Sequence, residues 1–298
     1  MRACVVGNCQ ADGIADWLRL FLPDAEVEAF SIAGVDADSA EERAIWRAML
    51  DRSDLVVTQI GQVHQARYGI PSPEALRSEG RRVLLAPWIT FRGFHPDCVF
   101  LFDRGAIVHG AAGPHHSAMA VAACLEGLTE TRALGLFNGF SYSALGYFDA
   151  FATAAEVMTD QWSQAGLDAA AWLTSRPTPF MSTINHPVVD VLGDVARQVL
   201  RRADIDMVEP SQRPIDRLLA AGAWPIYPGL AARLGVPSST AFAYPDRQVS
   251  LEDLVAGTYA ALSDLTARGL AADVGGGHPA SKPVIDRARA FIRDHVRR

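Results

Sequence analysis

Lysine is almost missing from this 298-residue chain: Lys282 is the only one, and arginine supplies the remaining positive charge. That scarcity removes Schiff-base chemistry unless Lys282 performs it. It also means that a bound phosphate would have to be held by arginine, helix N-termini or backbone amides. Basic clusters are absent as well, and with a net charge of −7 no nucleic-acid partner is expected. The longest apolar runs, such as VVGNC and VLLAPWITF, fall far short of a membrane span. The N-terminus enters a strand-like segment directly, without a charged-then-apolar leader, so a cytoplasmic protein is expected. No CxxC pair occurs among Cys4, Cys9, Cys98 and Cys124, and all four read as free thiols. There is no internal repeat and no low-complexity segment.

What is present is an ordinary globular composition, 49% apolar and 20% charged. The first half alternates strand-like and helical patterns. Apolar runs at 2–6, 26–32, 54–60, 81–87 and 99–103 read as strands. Ile14, Trp17, Leu18 and Phe21 recur at helical spacing, and Ser39 with Glu42 forms a capping-box signature before a second helix. Continuous apolar strands separated by helices predict a parallel sheet covered on both faces, a Rossmann-like α/β fold. From 115 onward helices dominate, at 116–127, 144–165, 167–175, 188–203, 251–268 and 280–296. One α/β domain spanning 1–298 is expected, with 248–298 as a helical C-terminal extension packed on it.

Ligands of such folds sit at the carboxyl ends of the strands. Gly7-Asn8-Cys9-Gln10 falls there, on the sharp turn between the first strand and the first helix. A thiol at a helix N-terminus feels the positive end of the dipole, which favours the thiolate, and nearby amides can receive an oxyanion. Cys9 is therefore the candidate nucleophile, while Cys4 and Cys124 read as small core residues. A nucleophilic thiol needs a base. His186 is the candidate, because Pro187 reads as the first residue of a helix and would leave His186 at its N-terminus, where a neutral ring is favoured. His115 and His116 lie where another helix should start, but adjacent histidines seldom ligate one ion, and no metal is expected.

Taken together and in order, GNCQ, WITFRGFHPD, GPHHS, NHP and WPIYPGLAARLG resemble the WcbI-type family of capsular polysaccharide biosynthesis proteins, over roughly residues 1–237. That family in turn resembles SGNH (GDSL-type) hydrolases and O-acetyltransferases. The resemblance implies a coenzyme A-dependent acetyltransferase. It places Gly7-Asn8-Cys9 at the nucleophile block, with cysteine for serine. TQIGQ lies at the second block, pointing to Gly61 for the oxyanion hole. Thr183-Ile184-Asn185-His186 matches the histidine block in part, with Thr183 where the orienting acid would stand, so that either Asp97 or another acid substitutes or the site works as a dyad.

The leading expectation is acyl transfer, most simply acetyl, from coenzyme A to a sugar hydroxyl in surface polysaccharide biosynthesis. Cys9 would attack and His186 would move the proton. Asn8, Gln10, Gly61, His95, Asp97, His116 and Ser117 would line the oxyanion and substrate site. Arg92, followed by Arg81, Arg82 and Arg104, would contact the coenzyme's phosphates. Three alternatives share these residues or this ligand: a thioesterase or carbohydrate esterase, a non-catalytic coenzyme A- or nucleotide-binding protein, and a sulfotransferase.

Overall fold

Four short aliphatic runs build the sheet. In this computed structural model, which describes residues 1–33, 36–59, 67–176, 179–267 and 280–296, the strands are β1 (Arg2–Gly7), β2 (Glu26–Ser31), β3 (Leu55–Thr58) and β4 (Arg82–Leu85). They pair in parallel in the order β2-β1-β3-β4. Each connection crosses over through helical chain: α1 (Ala11–Phe21) leads from β1 to β2 and α2 (Ala40–Asp51) from β2 to β3, while α3 (Pro73–Ser78) precedes β4. Ser39 caps α2 by accepting the Glu42 N–H at 3.3 Å, as its sequence signature predicts. The central strands β1 and β3 are buried along almost their whole length, which is why they read as unbroken apolar runs rather than alternating ones.

The chain divides into two compact units. Met1–Thr90, Val157–Phe180 and His186–Leu218 form the first, which contains the sheet; Phe91–Glu156, Met181–Asn185 and Leu219–Arg298 form the second. In the first unit, the helix Val189–Arg202 packs against α1. Trp17 lies against Gly193, and the Arg197 guanidinium stands over the Phe21 ring at 4.9 Å. The contacts advance together along both chains, so the two helices run parallel. Gly193 makes the approach possible, because a side chain there would strike the Trp17 indole.

The second unit is helix-rich, and its helices Leu251–Ala267 and Lys282–His295 both pack on Ala118–Leu125. The run 99–103 differs from the expected fifth parallel strand. Cys98–Phe100 pairs antiparallel with His115–Ser117, and Phe102–Asp103 pairs antiparallel with Ala106–Ile107. The reason is local. No crossover helix stands between β4 and Cys98, and a parallel return needs one. Arg104 and Gly105, both with left-handed φ (48° and 86°), then fold the run back on itself.

Candidate active site

The strand order reverses direction at β1: the chain leaves β1 on one side for β2 and crosses to the other for β3. The crevice outside the carboxyl ends of β1 and β3 is where such sheets bind ligands. Gly7, Asn8, Cys9 and Gln10 occupy that edge, together with Gln59 at the end of β3. At Gly7 the Gln59 side chain occupies the space that a Cβ would take.

Buried amides fix this turn. Asn8 Oδ1 accepts the Gln10 N–H at 2.8 Å, and the Asn8 carbonyl accepts the Ala11 N–H at 3.0 Å, starting α1. Gln10 is wholly buried. Its Nε2 donates to the Ile89 carbonyl at 2.7 Å, and its Oε1 accepts both the Ile89 N–H and Gln59 Nε2 at 3.1 Å. Gln59 Nε2 also donates to the Pro87 carbonyl at 2.9 Å. Gln10, expected from the sequence to line the substrate site, thus ties the β1, β3 and β4 ends together. Gln59 was not singled out by sequence reasoning, since a glutamine at a strand end carries no pattern of its own. Asn8 differs from both. Its Nδ2 is buried and has no hydrogen-bond partner among the described residues, leaving a donor for a ligand oxygen.

Cys9 is half-buried. Burial, with a smaller contribution from the Asp12 charge, pushes its thiol up to about 11. The helix N-terminus does not produce a resting thiolate, as position alone suggested, because desolvation outweighs the other influences on the thiol. Cys4 is likewise pushed up to about 11, and wholly buried Cys98 is raised further.

His186 lies in the same unit. The parallel register that sets Trp17 beside Gly193 and Phe21 beside Arg197 carries back one turn and more. It brings the chain before α1, with Cys9, and the chain before Val189–Arg202, with His186, to the same end of the helix pair. Trp17 Nε1 donates to the Val189 carbonyl at 2.7 Å and holds that end down. The helix begins later than the sequence predicts: Val188 is its extended N-cap (ψ 151°), so Pro187 is not its first residue and His186 precedes it by a short extended step. Burial lowers the His186 pKa from its ordinary 6.5, while the Asp216 charge acts in the opposite direction, so the ring is neutral at pH 7. Asp216, far along in the sequence, has no local pattern that marks it.

The remaining predicted residues divide by what they touch. Gly61 lies outside the described residues. Arg81 is engaged by the Leu50 and Ser53 carbonyls and by Asp51 and Glu79. Arg82 donates to the Ala203 carbonyl. Both precede or open β4, at the amino edge of the sheet, opposite Cys9. Arg104 is exposed on its turn.

In the second unit, Asp97 is wholly buried. It accepts hydrogen bonds from the Tyr147 and Tyr227 hydroxyls at 2.8 Å, from the Met119 N–H at 3.0 Å and from Ser117. Burial nevertheless raises its pKa to about 6. Ser117 also caps Ala118–Leu125 by accepting the Ala120 N–H. His116 is bonded through both nitrogens, to Thr258 and to the Val108 carbonyl, and is a core histidine. His95 donates from Nε2 to the Met181 carbonyl at 3.1 Å. Arg92 donates from Nη1 to the Cys98 carbonyl at 2.8 Å; its buried Nη2 has none. A cation whose donor is buried without an acceptor fits an anionic ligand. Among the described residues no cluster of histidine, cysteine and carboxylate side chains could hold a metal ion, and no helix is long and apolar enough to cross a membrane.

The sheet and its edge define an α/β protein whose first strand delivers a cysteine-bearing turn to the switch point, with a histidine brought to the same end by a parallel helix. Residues 2–207 match the sequence family described as polysaccharide biosynthesis enzyme WcbI. The chain belongs to that family and is a polysaccharide biosynthesis enzyme. A solved structure of WcbI, described as the native protein without a disulfide bond between coenzyme A and one of its cysteines, superposes with a TM-score of 0.67 at 14% identity. The match covers 96% of this chain and 98% of that one. No curated protein matches the sequence.

Proposed function

We propose that the enzyme transfers an acyl group, in the simplest case acetyl, from a coenzyme A thioester to a sugar hydroxyl, with Cys9 as nucleophile and His186 as base. What supports this is the register of the two parallel helices, with Trp17 on Gly193 and Phe21 under Arg197, since Cys9 lies two residues before one helix and His186 three before the other. The solved WcbI structure, whose description names coenzyme A and a cysteine, supports the choice of donor. Arg92, with its unpartnered Nη2, is the first candidate for a coenzyme phosphate.

The chemistry follows from the protonation states. Cys9 rests as a thiol, so attack requires His186 to take the sulfur's proton as the new C–S bond forms. The thioester oxygen then carries the developing charge, and Asn8 Nδ2 is a donor able to receive it. When the tetrahedral intermediate collapses, the bond to the coenzyme sulfur breaks and the His186 proton leaves with it. The exchange is nearly isoenergetic, one thioester for another. The sugar hydroxyl next gives its proton to His186 and attacks the acyl carbon, and Cys9 departs as the thiol by recovering that proton.

Cys9→Ala should lower acetyl transfer by at least about a thousandfold while coenzyme A still raises the melting temperature, since binding to the native state stabilises it. A variant with near wild-type turnover would leave Cys9 a structural residue. Consumption of acetyl-coenzyme A at an undiminished rate without any sugar would make the enzyme a thioesterase.

A further inference from the structure

The loop 211–217 is fastened to the helix pair at two points. Arg213 reaches Asp190 at 3.2 Å, and Arg217 reaches Asp16 of α1 at 2.9 Å. Between these anchors, Asp216 Oδ2 accepts the Val189 N–H at 3.0 Å. Val188, the N-cap, has no side chain that could accept, so the first N–H of the helix is satisfied by a residue 27 positions away. Val189 follows His186 by only three residues.

We infer that Asp216, held at this helix start by the Val189 N–H, is the positioning residue of His186, holding the imidazole in orientation and stabilising the imidazolium formed when the Cys9 proton arrives. The inference rests on the reading of His186 as base and supplies the acid that the sequence lacks beside it. Thr183, where an acid would be expected, is buried with its hydroxyl on the Asn185 side chain. The other charged groups on the packed elements have different partners. Asp16 is engaged by Arg19 and Arg217, and Asp190 by Arg213. Asp12 acts on Cys9. Asp216 is the charge that acts on His186, pulling its proton affinity up against burial. A carboxylate charge close to an imidazole favours the protonated ring.

The test is an NMR titration of His186 in the whole chain, wild type against Asp216→Asn and Asp216→Glu. Asparagine keeps an acceptor for the Val189 N–H but removes the charge. The His186 pKa should fall by about one unit in Asp216→Asn, a tenfold loss of proton affinity, and stay near wild type in Asp216→Glu. Turnover should fall about tenfold or more in Asp216→Asn and recover with glutamate, with KM for the donor unchanged. An unmoved His186 pKa in folded Asp216→Asn overturns the inference. Wild type gives a second measurement that needs no variant to fold: an imidazole N–H resonance shifted downfield by the carboxylate, assigned with isotope-labelled histidine. Its absence also overturns the inference. The titration does not depend on acyl transfer. A fall in the His186 pKa alongside an active Cys9→Ala variant would keep Asp216 in its role and remove the nucleophile; an unmoved pKa alongside an inactive Cys9→Ala variant would do the reverse.

Discussion

Cys9 is the residue whose chemistry is least like its neighbours' at first sight and most like them in protonation. Its thiol sits near 11 because burial outweighs the other influences on it. At pH 8 only about one molecule in a thousand carries the thiolate, by the definition of a pKa. Alkylation of Cys9 by iodoacetamide should therefore rise about tenfold per pH unit from pH 7 and reach no plateau below about pH 10. Peptide mass spectrometry against pH measures this, and a plateau near pH 7 would mean that the resting enzyme holds a preformed thiolate. Cys98, wholly buried and raised further, should remain unmodified in the native state. His186 has the complementary setting. Its pKa lies below the ordinary 6.5, so the base is neutral at pH 7, and turnover should decline only as pH falls below about 6.5.

At the scale of elements, the α1 and Val189–Arg202 pair determines whether those two residues meet. Trp17 joins the helices through its ring on Gly193 and its indole N–H on the Val189 carbonyl. Trp17→Ala should cost about 3–5 kcal/mol, the usual range for a buried aromatic. Urea unfolding measures it, and a loss below about 1 kcal/mol would mean that the helices are held elsewhere. This pairing was not legible in the sequence, although each helix was. The periodicity of Ile14, Trp17, Leu18 and Phe21 fixes a buried face but does not name its partner. Strands β1 to β4 were legible because both faces are buried, leaving unbroken aliphatic runs. VFLFD carried the same local signal and failed, since the turn at Arg104-Gly105 and the missing crossover decide its pairing. The candidate site was half legible. Cys9 and His186 carry turn and helix-start signals, whereas Asp216 and Gln59 are placed by chain returning from a distance. Asp97, His116 and Ser117, expected from the sequence to line the substrate site, are wholly buried in the second unit.

For the molecule as a whole, buried titratable groups set the response to acid. Burial lowers His95 and His116 from 6.5 to about 4 each. The unfolded chain therefore binds two protons that the fold refuses between pH 6.5 and 4. Their contribution to stability is full above pH 6.5 and is lost as pH falls toward 4. Asp97 works in the other direction. Raised from 3.8 to about 6, it takes a proton in the fold before the unfolded chain does, which offsets part of that loss over the same interval. His186, also lowered by burial, acts in the same direction, and these histidines outweigh one aspartate, so stability should decline through this window. Asp97→Asn removes the offset and should steepen the decline. Urea midpoints measured from pH 7 to pH 4 give both slopes, and a shallower slope in the variant would contradict the assignment.

An acyl group that passes through the Cys9 sulfur would rest there between donor and acceptor. Incubating the enzyme with acetyl-coenzyme A in the absence of a sugar, followed by acid quench and peptide mass spectrometry, tests it most directly. The expected result is the mass of one acetyl group on the peptide containing Cys9, formed at least about a hundredfold more slowly in His186→Gln and discharged on adding the sugar acceptor. Turnover with no acetyl on Cys9 at any time, or acetyl carried by another residue, would contradict it.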